Sequence, residues 1–244
     1  MTHPRKYTDF ITPEARTDLD TLLVPNVSVD DYRSAMYDLG SELGNLLPTP
    51  RSERPVLVVS TSEDADFLTA GYLSTLSKRG IPYKVAVFWN HHYALDSGES
   101  VAPIVRSYIQ DGATSCTEIV LLKSIISGSC VIRTNLLALF ASIDTATIES
   151  IFVAAPVMHE QGEERLKAEF PEDICRKFKF HTFAIDSERD KKGNVLDGIG
   201  GEVYPKLGFA AQPALLATGV MPKLVSGLMF GSPSDYEPTA CSLF

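Results

Sequence analysis

Two histidines stand side by side at His91 and His92, directly after Trp89 and Asn90 and ahead of Tyr93. A neutral imidazole accepts a proton near pH 7, and an aromatic wall stacks on a planar or apolar ligand, so this run offers a general base with a binding surface beside it. Adjacent histidines on a surface loop also occur with no chemical role, and the residues alone leave both readings open. His159, next to Glu160, is a further candidate base, with the glutamate as its orienter or as an acid that merely starts a helix. Asp186 closes an apolar run and either joins the chemistry or caps the next turn.

The run Ser60-Thr61-Ser62-Glu63-Asp64-Ala65-Asp66 crowds carboxylates together. Hard divalent cations prefer oxygen ligands, which makes Glu63, Asp64 and Asp66 candidate ligands for magnesium; the same acids at a helix start would complement its dipole. Further on, Ser127-Gly128-Ser129-Cys130 precedes a helical pattern. A glycine turn opening a helix aims backbone N–H groups and the positive end of the dipole at an anion, and the Ser127 and Ser129 hydroxyls add donors. An ordinary strand-to-helix turn has the same composition. Lys123 ends the preceding apolar run, placed to hold an anionic group or to remain exposed.

Groups this far apart in sequence must be gathered by a fold. Apolar spacing at Tyr32, Met36, Leu39 and Leu43 predicts a helix over 29–47, after Ser28 and Asp30 as caps. A Pro-, Ser- and Arg-rich loop over 48–55 leads to a continuous apolar strand at 56–59, a polar turn at 60–66 and a helix from Phe67 to Leu76 closed by Gly80. Strands over 83–88, 118–122, 151–155 and 180–185, with helices over 131–140 and 160–170, continue the alternation. Doubly buried strands alternating with helices predict an α/β fold, a mainly parallel central sheet flanked by helices on both faces. Ligands of such sheets bind beyond the carboxyl ends of the strands, in the turns at 60–66, 89–97, 123–130, 156–161 and 186–201.

A chain of 244 residues, 44% of them hydrophobic, suits one domain with a full core. Its net charge of −9 excludes the basic footprint of a nucleic-acid binder. No apolar run reaches signal-peptide or membrane-span length, so a cytoplasmic protein with a small-molecule partner is expected. Cys116, Cys130, Cys175 and Cys241 are scattered without metal-ligand spacing. Cys241-Ser242-Leu243-Phe244 formally fits a prenylation box, with Ser a poor second letter and no basic cluster upstream. The apolar stretch over 213–229, interrupted by Pro222 and Gly227, is expected to cap a core or a dimer interface.

Several segments, in one order, resemble the uracil phosphoribosyltransferases. Tyr32-Arg33 with Leu39-Gly40 is similar to that family's aromatic-Arg helix, and Glu118 to Leu122 followed by Ser127-Gly128-Ser129 to its strand and Thr-Gly-Gly phosphate loop. Val153-Ala154-Ala155-Pro156, Phe170-Pro171, and then Ala184-Ile185-Asp186, Lys192-Gly193 and Gly198-Ile199-Gly200 continue the likeness to its uracil loop. The resemblance implies a phosphoribosyltransferase-like core over 28–209, between an N-terminal arm, 1–27, and a C-terminal extension, 210–244. It also implies a homodimer and a ligand site at Trp89, Lys123, Ser127, Gly128, Ser129, Gly198, Gly200 and Glu202.

The charged positions depart from the family. Its first turn grips pyrophosphate with Arg-Ala-Gly where this chain has the run Ser60 to Asp66 with three carboxylates; its ribose-binding Asp is matched by Lys123 or by a gap; its mobile Arg-Asp is replaced by the Trp89 to Tyr93 run. Gly201 stands where the uracil loop has its magnesium-linked acid, with Glu202 one place later. The expected function is therefore a divergent uracil phosphoribosyltransferase-like enzyme whose cleft acts on another small molecule through His91, His92, His159 and Asp186. An active uracil phosphoribosyltransferase using phosphoribosyl pyrophosphate and a non-catalytic ligand sensor are the alternatives.

Overall fold

The computed structural model describes residues 5–50, 53–95, 100–190, 194–216 and 219–231. In chain order the elements are β1 (Lys6–Tyr7), α1 (Pro13–Leu22), α2 (Val29–Leu46), β2 (Val56–Thr61), a π-helical turn (Ala65–Thr69) running into α3 (Ala70–Lys78), and β3 (Tyr83–Asn90). A short hairpin of β4 (Tyr93–Ala94) and β5 (Ser100–Val101) follows, then β6 (Ile104–Ile109), β7 (Glu118–Leu122), β8 (Ile125–Ile126) and α4 (Cys130–Phe140). The remainder comprises β9 (Ser150–His159), α5 (Gly162–Lys167), α6 (Glu172–Cys175), β10 (Phe178–Asp186), α7 (Val203–Lys206) and α8 (Lys223–Phe230).

The main sheet has the order β1-β10-β9-β7-β2-β3-β6, with β8 pairing against β9. β10, β9, β7, β2 and β3 run parallel, while β1 and β6 close the two edges antiparallel. This is the mixed α/β sheet flanked by helices that the alternation predicts. Successive side chains of a strand face opposite sides, so Val56 and Val58 pack with α1, α2, α3 and α8, whereas Leu57 and Val59 pack with α4 and α5.

Several boundaries differ from the expected ones for identifiable reasons. The turns expected at 60–66, 89–97 and 156–161 begin later, because Ser60, Thr61, Trp89, Asn90 and all of Pro156 to His159 continue their strands. β9 is prolonged because β8 pairs alongside it, Ile125 opposite Val157 and Ile126 opposite Met158. Within the expected N-terminal arm, α1 is capped by Thr12, whose side chain accepts from the Ala15 N–H, and Ala15, Leu19 and Leu22 are buried. Leu224 and Val225 of α8 join the same core, while Met229 and Phe230 are exposed. Lys192, Gly193 and Cys241 lie outside the described residues.

Helices α2 and α3 meet backbone to backbone. A Cβ on Gly71 would lie 1.9 Å from the Tyr37 carbonyl oxygen, and one on Gly40 would lie 2.0 Å from that of Leu68. Only hydrogen fits at either place, and the contact fixes the start of α3 against the core. Gly71→Ala should therefore cost about 3 kcal/mol or more in urea unfolding, since no flexible side chain can move aside.

On α1, Asp18 faces a cluster of acids. Burial, followed by repulsion from Asp38, Glu42 and Glu14, pushes its carboxyl up to about 6. The folded state thus holds this proton more tightly than the unfolded chain, so the contribution to stability is complete below the ordinary value of 3.8 and is lost as pH rises through about 6. Asp18→Asn should abolish that decline and stabilise the protein at neutral pH by about 1 kcal/mol, solvent screening of a half-buried group included. Thermal melts between pH 4 and pH 8 check both points.

Candidate functional site

Strand order locates the crevice before any side chain is considered. From β2 the chain passes to β3 on one side, while β7, the next parallel strand of the sheet, pairs on the other side. Loops that leave in opposite directions open a gap beyond the carboxyl ends of β2 and β7, the position where open α/β sheets bind ligands.

Two loops meet in that gap, and they are bound to each other. The Lys123 ammonium, directly after β7, donates to Asp64 Oδ2 at 2.7 Å and to Glu63 Oε1 at 3.1 Å, both in the turn after β2. Asp64 Oδ2 also accepts from Thr61 Oγ1 at 3.0 Å and from the Ser124 N–H at 3.2 Å. Glu63 and Asp64 are 4% and 1% exposed. Burial alone would lower the Lys123 pKa, but Asp64, Glu63 and Tyr204 outweigh it and hold the ammonium above its ordinary range. Tyr204, on α7, is pushed up first by burial and then by Glu63. Tyr32, on α2, is likewise raised by burial and next by Asp64, and its hydroxyl donates to the Ile199 carbonyl at 2.9 Å.

The three acids of this turn do not converge. Residues two apart on a helical turn face away from each other, so Asp66 turns from Asp64 toward α8 and accepts the Lys223 and Leu224 N–H groups, each at 2.9 Å. Among the described residues no group of three His, Cys, Asp or Glu is placed to hold a metal ion.

The histidines divide. His92 is held by its backbone: its N–H donates to Gln212 Oε1 at 2.9 Å, and Gln212 Nε2 donates to its carbonyl at 2.7 Å. Burial, then Lys123 and His91, lower its pKa, so the ring is neutral at pH 7 and lies within electrostatic reach of the Lys123 centre. His91 stacks obliquely on Tyr93, with ring centroids 4.7 Å apart. His159 has both ring nitrogens engaged, Nδ1 accepting from the Gln161 N–H at 3.1 Å and Nε2 lying 3.1 Å from the Ser187 carbonyl. That pairing fixes the proton on Nε2.

Asp186 and the glycine loop form a separate unit at the end of β10. Arg5 Nε and one terminal nitrogen donate to the two carboxylate oxygens of Asp186 at 3.0 and 2.8 Å, and Gly198 N–H donates to Oδ2 at 2.9 Å. Arg5 also donates to the Gly198 carbonyl. Gly200 has φ +79°, and a Cβ there would stand 2.1 Å from the Leu22 carbonyl oxygen, so this loop lies directly on α1. Glu202 is exposed at the start of α7.

Trp89 is 2% exposed and serves the C-terminal segment, its indole N–H donating to the Val220 carbonyl at 2.7 Å while Arg106 covers the ring. In the turn before α4, Ser129 Oγ donates to Glu169 at 3.3 Å, Ser127 accepts from Arg189 through its carbonyl, and the space around Gly128 is open. The structure thus brings Glu63, Asp64 and Lys123 to one centre, with Asp66, Trp89, His159 and Asp186 engaged elsewhere and His92 held through its backbone by Gln212. Tyr32, Tyr204, Ser124, Gln212 and Arg5 were not singled out as chemical groups by sequence. Tyr204, two residues past Glu202 at a helix start, carried the one usable signal.

No protein-family model matches the chain, and none of the curated proteins matches it. Among solved structures it is similar to the AQ2163 protein from Aquifex aeolicus, at 15% identity and a TM-score of 0.59, over 82% of this chain and 97% of that one. It is also similar to adenine phosphoribosyl transferase from Trypanosoma brucei, solved with AMP, pyrophosphate and ribose-5-phosphate, at 10% identity and a TM-score of 0.48 over 74% and 82% of the two chains. For the hypoxanthine-guanine phosphoribosyl transferase of L. donovani the figures are 9%, 0.40, 78% and 85%. The Aquifex likeness establishes a shared fold.

Removing the ammonium would leave two buried carboxylates facing each other. Lys123→Met should cost about 3–5 kcal/mol in urea unfolding, and adding Glu63→Gln and Asp64→Asn to it should restore most of that loss, because no uncompensated charge then remains. A neutral effect of Lys123→Met would show that the three groups are not held as a unit.

Proposed function

We propose that this chain is a phosphoribosyltransferase-like enzyme, related in architecture to the uracil phosphoribosyltransferases, whose cleft acts on a small molecule other than phosphoribosyl pyrophosphate. The observation that carries the reading is the ion-bonded centre of Lys123 with Glu63 and Asp64 at the switch point of the sheet. The resembled family puts a cation in the first turn, for pyrophosphate, and an acid at the start of the phosphate loop, for ribose. With Lys123 taken as the counterpart of that acid, the signs are exchanged, and the two positions bond to each other.

This exchange supports a change of ligand on electrostatic grounds. A polyanion entering the crevice would meet two carboxylates whose single ammonium partner is already engaged, and in a buried setting that repulsion is only weakly screened. What remains for chemistry is a neutral imidazole at His92 as general base and the Tyr204 hydroxyl as a hydrogen-bond donor. His91 and Tyr93, stacked on each other, flank His92 in the chain. The expected homodimer and cytoplasmic location belong to the same reading.

Calorimetric titration of the full chain with phosphoribosyl pyrophosphate and magnesium, with and without uracil, should give no saturable heat up to millimolar ligand. Tight binding would restore the family reaction. Small molecules retained by the purified protein, identified by mass spectrometry, supply the substrate for a turnover assay. In that assay His92→Ala should reduce kcat by about 100-fold or more while the melting temperature stays unchanged, and an unaltered kcat would remove His92 from the mechanism.

A further inference from the structure

Between Asn90 and Tyr93 the chain leaves one ladder of hydrogen bonds and enters another. β3 pairs with β6 as far as Asn90, opposite Ile104, after a register shift at Trp89 and Asn90. The His91 N–H still donates to the Pro103 carbonyl at 2.9 Å. The hairpin of β4 and β5 begins only at Tyr93, opposite Val101. His92 falls in the break, where neither ladder supplies a partner for its N–H and carbonyl, and partly buried backbone groups left unmet are costly.

One side chain meets both groups. Gln212 Oε1 accepts from the His92 N–H at 2.9 Å, and Gln212 Nε2 donates to the His92 carbonyl at 2.7 Å, across 120 positions of sequence. A primary amide carries an acceptor and a donor in one plane, as a peptide group does, so Gln212 stands in for a paired strand.

The segment that carries Gln212 is tied down on both sides. Before it, Arg33 of α2 donates to the Leu207 carbonyl through Nε and one terminal nitrogen, at 3.1 and 2.8 Å. After it, the Trp89 indole N–H donates to the Val220 carbonyl, and Asp66 receives the Lys223 and Leu224 N–H groups. Leu207, Leu224 and Val225 are buried in the core. Anchors on α2, β3 and the turn ahead of α3 therefore flank the amide in the chain, which is the kind of support that a precisely held group needs. The clamp leaves the ring of His92 alone: the imidazole makes no hydrogen bond among the described residues, and Lys123 and His91 are the ionisable groups that act on it.

We propose that Gln212 is a positioning residue for His92. It locks the backbone after β3, so that the imidazole is set before any ligand arrives and no ordering of this stretch is left to binding. The purpose of the lock rests on the reading of His92 as general base. The lock itself is tested without substrate, so either can fail while the other stands.

Gln212→Met keeps the length of the side chain and removes both bonds. Amide hydrogen exchange of the full chain, followed by NMR at pH 7, should show the His92 N–H exchanging about tenfold or more faster than in the wild type. The amides from Val85 to Phe88, inside β3, should not change. A second reading follows the ring. Burial, then Lys123 and His91, hold the His92 titration below the ordinary 6.5 in the wild type, and release of the backbone should move it back toward 6.5. His159 and His181, on other elements, should keep their wild-type titrations. Circular dichroism first establishes that the variant is folded. If it is not, Gln212→Glu decides: at neutral pH its second oxygen faces the His92 carbonyl with no proton to give, and both changes are expected in the same directions. Unchanged exchange at His92 in a folded variant, or a His92 titration that stays at its wild-type position, overturns the proposal.

Discussion

A buried ammonium shared by two buried carboxylates fixes the middle of this molecule. Lys123, Glu63 and Asp64 join the ends of β2 and β7 at the point where the sheet would otherwise open, and they draw Thr61 and Ser124 into the same set of bonds. Such a cluster is costly to desolvate, so its retention is poor evidence for stability as such and better evidence for a defined local arrangement. The helix that follows accommodates it: the Thr69 N–H reaches back five residues to the Asp64 carbonyl, a π-helical turn, and Asp66 is left free to receive the amino end of α8.

The same constraint separates scaffold from chemistry. The apolar strands and close-packed helices, with Gly40 and Gly71 admitting backbone contact, need only volume and hydrogen bonds. They tolerate any charge pattern at the strand ends. The charged residues at those ends are bonded to one another and to neighbouring loops. Fold and ligand are separable in this way, and function is argued from the groups at a site and not from the frame that carries them.

How much of this was legible in the sequence follows from which forces act locally. The continuous run Glu118 to Leu122 is β7 itself, and the spacing of Tyr32, Met36, Leu39 and Leu43 gives α2, because burial on both faces or on one stripe leaves a direct pattern. Edge strands leave little. β6 reads Ile-Val-Arg-Ser-Tyr-Ile and pairs on one side only among the described residues, and β1 is two residues long. The helix α1 did carry signals, a Thr12 cap followed by Pro13, in a segment expected to be an arm. The central cluster joins residues about sixty positions apart, and no local pattern encodes such a pairing. Sequence marked the three residues as unusual but did not show that they bond to one another.

Candidate groups that sit at strand ends compete between two uses, and the geometry separates them by counting what each side chain already holds. Asp186 spends its carboxylate on Arg5 and Gly198, His159 spends both nitrogens on backbone, and Trp89 gives its N–H to Val220. These bonds position the glycine loop, the β9–α5 turn and the C-terminal segment around the crevice. His92 is the opposite case: its backbone is clamped by Gln212, while its ring makes no hydrogen bond among the described residues. A fixed backbone with an uncommitted, neutral imidazole is an arrangement suited to general-base chemistry, whereas the engaged side chains are suited to holding loops in place.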